Sequence, residues 1–189
     1  MGNDQVGKNT FVVWDDVLQP AELDAIEALG DQLVLQKAGL ADKNDRVEGV
    51  RSTRIAWIQP NQETDALYRR IGQIVGNLNQ KIYHFKITGI ETMQYTVYES
   101  AEGGRYDWHI DYGPHNRWPR KISLSIQLSD PSTYEGCDLE FRIGPTVGAA
   151  PRRRGAIIAF PSFYLHRVSP ILSGTRKALV IWANGPDFE

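Results

Sequence analysis

In Lys121-Ile122-Ser123-Leu124-Ser125-Ile126-Gln127-Leu128-Ser129-Asp130, apolar residues alternate with small or polar ones from Lys121 through Ser129. Successive side chains on a strand point to opposite faces. Ile122, Leu124, Ile126 and Leu128 therefore form one row, and Ser123, Ser125, Gln127 and Ser129 the other. The apolar row requires a covering layer. The polar row faces either a cavity or solvent, and the pattern alone serves both. From Gly89 onward, short strand-like segments with turn signals between them favour a β-sandwich or barrel. Ala156-Ile157-Ile158-Ala159-Phe160 is continuously apolar and predicts a central strand buried on both faces. The Arg152-Arg153-Arg154 run before it reads as a solvated hairpin tip.

The covering layer is expected upstream. Phe11-Val12-Val13-Trp14 predicts a short strand, and Pro20 suits the first turn of a helix. Leu23, Ile26, Leu29 and Leu33 recur at helical spacing, with Gly39 as the stop. Residues 41–49 are polar and predict a surface loop, and Val50 to Ile58 a strand. Asn61 to Thr64 opens a second helix, on which Leu67, Ile71, Ile74, Leu78 and Ile82 form one apolar stripe. The fold class expected is mainly β with supporting helices (α+β), in a single domain over residues 1–189. Residues 1–88 supply an N-terminal strand and support helices, and residues 89–189 the core.

Composition narrows the function classes. The 189 residues are 41% hydrophobic, enough for one core, and carry 21 basic and 23 acidic side chains for a net charge of −2. That mixture does not suit an electrostatic nucleic-acid binder. One cysteine excludes an internal disulfide and a cysteine-based zinc cluster. Met1 to Thr10 lacks an apolar core, so no secretory signal is expected, and Val6 argues against myristoylation of Gly2. No apolar run is long enough to span a membrane. A soluble cytoplasmic protein is expected; the sequence does not specify an oligomeric state.

Chemistry concentrates in Arg105-Tyr106-Asp107-Trp108-His109-Ile110-Asp111. On a strand, His109 and Asp111 share a face and could take adjacent positions on one metal ion. A lone His-x-Asp is also a hydrogen-bonded strand histidine followed by the turn Asp111-Tyr112-Gly113-Pro114. His166, on another strand-like piece, supplies a possible third ligand. Two histidines and a carboxylate on one face mark a non-haem Fe(II) site with open positions. His166 to Pro170, Gly174-Thr175-Arg176 and Ala178 to Trp182 read as strand, turn and strand, a hairpin returning Arg176 to the ligands.

Tyr98, His109-x-Asp111, Leu128-Ser129-Asp130-Pro131, Tyr134-Glu135-Gly136, Leu139, Pro161-Ser162, His166-x-Val168-x-Pro170, Gly174-x-Arg176 and Trp182 together resemble the iron- and 2-oxoglutarate-dependent oxygenases of the prolyl 4-hydroxylase-like group. They are most similar to the small bacterial PKHD-type hydroxylases. The resemblance covers roughly the C-terminal half. Cys137 departs from it where relatives usually have a second glycine, and Gln127 where several have tyrosine.

The resemblance implies a double-stranded β-helix (jelly roll) core with the N-terminal helices packed on one sheet. It implies an oxidoreductase, a dioxygenase that hydroxylates an unactivated C–H with release of succinate and CO2. Fe(II) would be held by His109, Asp111 and His166, with 2-oxoglutarate and O2 as co-substrates and ascorbate as an accessory reductant. Arg176 would bind the 2-oxoglutarate C5 carboxylate, for which its planar two-pronged donor is suited. Tyr98 would donate a phenolic hydrogen bond, and Leu139, Val168, Ala178 and Trp182 would wall the site. Gln127 could contact the co-substrate or be an ordinary strand glutamine, and Lys177 would face the surface. Arg105, Trp108, Tyr112, His115, Trp118 and Arg120 are the expected mouth residues for an amino acid, a prolyl peptide or another small molecule. His84 and His115 read as ordinary histidines. The alternative is a non-catalytic jelly-roll protein binding a metal or small ligand, in which Arg176 has no role. Replacing Asp111 by Ala is expected to leave metal-free stability unchanged or slightly raised, unless Asp111 accepts a local hydrogen bond.

Overall fold

The computed structural model describes residues 11–38, 50–113 and 118–187. The chain runs β1 (Val12–Trp14), α1 (Pro20–Asp31), β2 (Gln36–Lys37), β3 (Arg51–Ser52), β4 (Arg54–Ile58), α2 (Asp65–Leu78), β5 (Gly89–Ile90), β6 (Met93–Glu99) and β7 (Arg105–His109). It continues through β8 (Arg120–Gln127), β9 (Tyr134–Gly136), β10 (Leu139–Ile143), β11 (Thr146–Ala149), β12 (Ile157–Pro161), β13 (His166–Val168) and β14 (Ile171–Asn184). The strands pair antiparallel into two sheets. The larger is ordered β1-β12-β8-β14-β6-β4-β2, with β5 and β9 also on β14; the smaller is β11-β10-β13-β7-β3. This is a jelly roll. Segments before residue 89 do more than support it: β1, β2 and β4 extend the large sheet and β3 the small one.

Alternation on β8 sets the two layers. Ile122, Leu124, Ile126 and Leu128 join one core cluster with Leu23 and Ile26 of α1 and Ile71, Ile74 and Leu78 of α2. Both helices thus cover one face of the large sheet. Ser123, Ser125, Gln127 and Ser129 are buried as well, so the polar row faces the interior and not solvent. A second cluster, including Tyr98, Leu139, Phe141, Ile158, Phe160 and Val168, lies between the sheets. β12 feeds both cores: Ile157 and Ala159 go to the helix side and Ile158 and Phe160 to the other. It is the penultimate strand, and β1 covers its outer edge.

α1 starts at Pro20 as expected, where the Gln19 N–H donates to the Glu22 carboxylate. It ends at Asp31, before Leu33 and well before Gly39, because the chain turns into β2; Gly39 and the expected loop at 41–49 lie outside the described residues. α2 follows Asn61, whose side chain accepts the Glu63 and Thr64 N–H groups. The Arg70 guanidinium then ties α2 to Glu22 of α1 at 2.8 Å.

Two expectations are corrected. Arg152, Arg153 and Arg154 do not form a solvated hairpin tip. They occupy the connection from β11 to β12, where Arg152 pairs in two-pronged fashion with Asp138, Arg153 with Asp15, and Arg154 with Asp24 and Glu27. Each cation finds an acidic partner from another element, so the run staples the fold. The second correction is that β13 and β14 are not a hairpin. β13 belongs to the small sheet and β14 to the large, and the chain crosses between them at Ser169-Pro170. Gly174 makes no reversal. It sits within β14 at φ +75°, where an added Cβ would come within 2.1 Å of the Thr133 carbonyl oxygen.

Among the described residues, no helix is long and apolar enough to cross a membrane.

The α1–sheet contact generates two predictions. At Gly30 an added Cβ would lie 2.4 Å from the buried Tyr95 ring. Helix propensity favours alanine there, by roughly 0.5–1 kcal/mol. Overpacking costs more, so Gly30→Ala should lower unfolding stability in urea by a net of about 1 kcal/mol. Next to it, the Asp31 carboxylate accepts from the Tyr95 hydroxyl at 2.7 Å and from the Lys177 ammonium at 2.7 Å. Burial works to raise its pKa, but the Lys177 and Tyr95 hydrogen bonds outweigh it and hold Asp31 below its usual value. A depressed carboxylate stabilises the fold above its unfolded pKa, and that stability is lost as pH falls through the folded value. Asp31→Asn should therefore cost about 0.5–1 kcal/mol at pH 7, the pair being half-exposed, and progressively less below about pH 4.

Candidate active site

β7 and β13 are paired so that His109 lies opposite His166. The next registered pair is Tyr106 with Val168, so β7 carries one residue more than β13 between the two pairs. This bulge places Tyr106 on the same side as His109, and their rings stack at 3.5 Å. Asp111 lies just past β7, where its N–H donates to the Ser162 carbonyl at 2.8 Å.

The result is a compact donor set. One ligand atom each from His109, Asp111 and His166 lies within 4.8 Å of the others, as a metal ion requires. The two Asp111 oxygens are each 3.6 Å from an imidazole Nε2. Both histidines are oriented through their other nitrogen. His109 Nδ1 is 2.7 Å from the Asp107 carbonyl and His166 Nδ1 is 2.8 Å from the Tyr164 carbonyl. With Nδ1–H donating to those carbonyls, Nε2 presents a lone pair into the site. Burial pushes His166 down to about 4, so it is neutral at neutral pH. Burial alone would raise Asp111, but His166, His109 and Ser123 together outweigh it and keep the carboxyl below the usual range. Ser123 donates to Asp111 Oδ2 at 2.6 Å, and its own oxygen is 2.9 Å from that of Ser162. Ser123 and Ser162 were not anticipated, although the buried polar row of β8 carried the signal for Ser123.

Across the cavity, from the other sheet, comes Arg176. It is 2% exposed, and its Nε and Nη2 donate to Gln127 Oε1 at 3.1 and 2.9 Å. Among the described residues no carboxylate pairs with it. Gln127 thus anchors Arg176 and does not itself line the cavity. Tyr98 lies opposite Arg176 in register and under its guanidinium. Burial pushes the Tyr98 phenol up to about 12, leaving it an O–H donor. Cys137 adopts φ +57°, the left-handed conformation that glycine adopts without cost, which accounts for the glycine of its relatives. Lys177 faces away and pairs with Glu27 and Asp31.

The site opens on a cavity of about 430 Å³ between the sheets, with Leu139, Val168, Phe160, Ala178 and Trp182 in its wall. The Trp182 Nε1–H is buried there with no hydrogen-bond partner among the described residues. Of the expected mouth residues only Arg120 lines it. Trp108 is instead placed between the Arg142 and Arg167 guanidiniums, because as the neighbour of His109 on β7 it points to the opposite face. Arg105, Tyr112 and Trp118 are not in the lining, and His115 lies outside the described residues. Their places are taken by Lys37, Arg51 and Trp57 from the N-terminal strands, which the sequence marked only as structural. His84 caps the helical segment after α2 in a left-handed conformation and does not line the cavity.

Comparison with known proteins follows the same outline. A family model for the 2OG-Fe(II) oxygenase superfamily matches residues 93–184. A PKHD-type hydroxylase of Synechococcus sp. (strain CC9902) is 39% identical over 88 residues, 46% of this chain and 39% of that protein. One from Teredinibacter turnerae is 36% identical over 85 residues, 42% of this chain and 38% of that protein. The match thus spans about two fifths of these relatives' length. A prolyl-4-hydroxylase of Pseudomonas putida superposes with a TM-score of 0.75 over 95% of each chain at 19% identity. A Trichoplax adhaerens prolyl hydroxylase, in complex with a hypoxia inducible factor peptide fragment, gives 0.75 at 22% identity, over 94% of this chain and 84% of that one. At such identities the superpositions speak for the fold.

Two substitutions probe the donor set. Ser123→Ala removes the hydrogen bond that orients Asp111 and should weaken divalent-metal binding about tenfold in calorimetry. Asp111→Ala removes the acceptor of the Ser123 hydroxyl and leaves it Ser162 Oγ as a partner. The lost hydrogen bond reverses the sign expected from sequence: the metal-free variant should unfold with about 1 kcal/mol less stability in urea.

Proposed function

Because the chain belongs to the 2OG-Fe(II) oxygenase superfamily, in its prolyl 4-hydroxylase-like group, we propose that it hydroxylates an unactivated C–H of an amino acid, a prolyl peptide or another small molecule. 2-Oxoglutarate would be converted to succinate and CO2, with one oxygen atom of O2 going to succinate and the other to the substrate hydroxyl. Fe(II), when bound, supplies the activation of O2 in this chemistry. The observation that carries the reading is Arg176, a buried guanidinium facing the donor set with no carboxylate partner among the described residues. A sealed cation without a counterion is costly, and a bound dicarboxylate supplies the missing charge.

The chain's own residues divide the work. His109, Asp111 and His166 hold the metal, and Ser123 keeps one Asp111 oxygen engaged. Arg176, steadied by Gln127, receives the distal carboxylate of 2-oxoglutarate, with the Tyr98 hydroxyl as a further donor. The apolar wall of Leu139, Val168, Phe160 and Ala178 keeps water from the Arg176 contact and so strengthens it. The rival reading, a jelly-roll binding protein that retains a metal for structure, leaves Arg176 without a purpose.

Arg176→Ala should weaken 2-oxoglutarate binding to metal-loaded protein by about 100-fold or more in calorimetry, the scale of losing one partner of a buried charge pair. Unchanged affinity would favour the binding-protein reading. Wild-type protein supplied with Fe(II), 2-oxoglutarate and O2 should form succinate slowly even without substrate, and Asp111→Ala should form none.

A further inference from the structure

We propose that the substrate is a small molecule bearing its own carboxylate, and that Arg51 is the residue that holds it. This rests on the oxygenase reading above and adds the substrate class. The described lining of the cavity contains four cations, Lys37, Arg51, Arg120 and Arg176, and a single carboxylate, Asp111. Charge can be assigned group by group. A divalent metal and Arg176 together bring three positive charges, and Asp111 with a 2-oxoglutarate dianion brings three negative ones, so this group is neutral as a whole. Arg120 is already neutralised by the two-pronged contact with Glu91, at 2.7–3.0 Å. With cofactors in place, the loaded cavity keeps the positive charge of Arg51, with Lys37 adding to it at the exposed rim.

Arg51 is placed and oriented for recognition. It stands on β3, beside Tyr106 in register. Its Nε donates to Thr53 Oγ1 at 2.8 Å and its Nη2 to Gln94 Oε1 at 3.0 Å. Both partners are buried neutral groups. They fix the plane of the guanidinium without spending its charge, and among the described residues no carboxylate pairs with it. The guanidinium lies over the Tyr106 ring at 4.4 Å, and that ring stacks on His109 at 3.5 Å. Arg51 is therefore one aromatic layer removed from a metal ligand. An anion held there lies within one small molecule's length of the reacting centre, and Trp57 at the same rim offers an apolar face to its carbon skeleton. Planar two-pronged donors of this kind match carboxylates better than an ammonium would.

The test uses the full chain, loaded with Fe(II) and 2-oxoglutarate without oxygen, and titrated with a broad panel of free amino and imino acids, each paired with its amide. Binding is read from the shift of the metal-to-2-oxoglutarate absorbance band and from melting temperature. Acids should bind roughly tenfold or more tightly than their amides, the scale of a charge-assisted hydrogen bond. Arg51→Gln should abolish that preference, and Arg51→Lys should restore part of it. Equal binding of acid and amide, a preference that survives Arg51→Gln, or binding by no acid at millimolar concentration would each overturn the proposal. So would a response confined to acidic peptides. A large loss of 2-oxoglutarate affinity in Arg51→Gln would assign Arg51 to the co-substrate and overturn it as well. Failure of wild-type protein to take up 2-oxoglutarate is a separate result, which would remove the oxygenase reading and this inference together.

Discussion

A guanidinium sealed between two β-sheets is the constraint around which this fold is arranged. Arg176 has left water, and burying an arginine is tolerable only where dipoles and a counter-charge meet it. Gln127 supplies the dipole and Tyr98 the aromatic face. Among the described residues no carboxylate meets it, which leaves the counter-charge to the proposed dicarboxylate. The large sheet delivers Arg176 from β14, and the small sheet delivers His109 and His166 from β7 and β13. Cation and metal ligands therefore sit on opposite walls of one cavity. In the proposed function a dicarboxylate spanning them would join the two sheets electrostatically, which a hydrophobic core alone does not do.

Everything that positions these groups is ordinary secondary structure used on both faces. β8 gives apolar side chains to the helices and hydroxyls to the site. β14 gives Lys177 to α1 and Arg176 to the cavity. α1 and α2 are far from the chemistry, yet they seal the large sheet so that its inner face can stay polar. The aromatic stack from Arg51 through Tyr106 to His109 extends the same logic outward. Each layer fixes the orientation of the next.

Much of this was legible in the sequence, and the failures have physical causes. Strict alternation over nine residues revealed β8, and His109, Asp111, His166 and Arg176, singled out in the sequence, do line one cavity. What alternation cannot show is a change of sheet or an inserted residue. The sequence from His166 to Trp182 has the pattern of a hairpin, but Ser169-Pro170 carries the chain across the cavity and Gly174 only kinks a continuing strand. The bulge in β7 brought Tyr106 to the side of His109, while simple alternation from His109 keeps Trp108 out of the mouth. Arg51 escaped notice because a charged residue on a two-residue edge strand leaves no periodic trace. Gln127 was read as a contact to the co-substrate or to water, whereas its partner is Arg176. The chain around Arg152 to Arg154 was misjudged because its acidic partners come from elements distant in sequence.

The central claim is that one cavity binds a metal and 2-oxoglutarate together, and visible spectroscopy tests it most directly. Anaerobic protein with Fe(II) should develop a metal-to-ligand charge-transfer band on addition of 2-oxoglutarate, saturating at one equivalent per chain. A protein that binds Fe(II) but gives no such band at saturating 2-oxoglutarate would contradict the account.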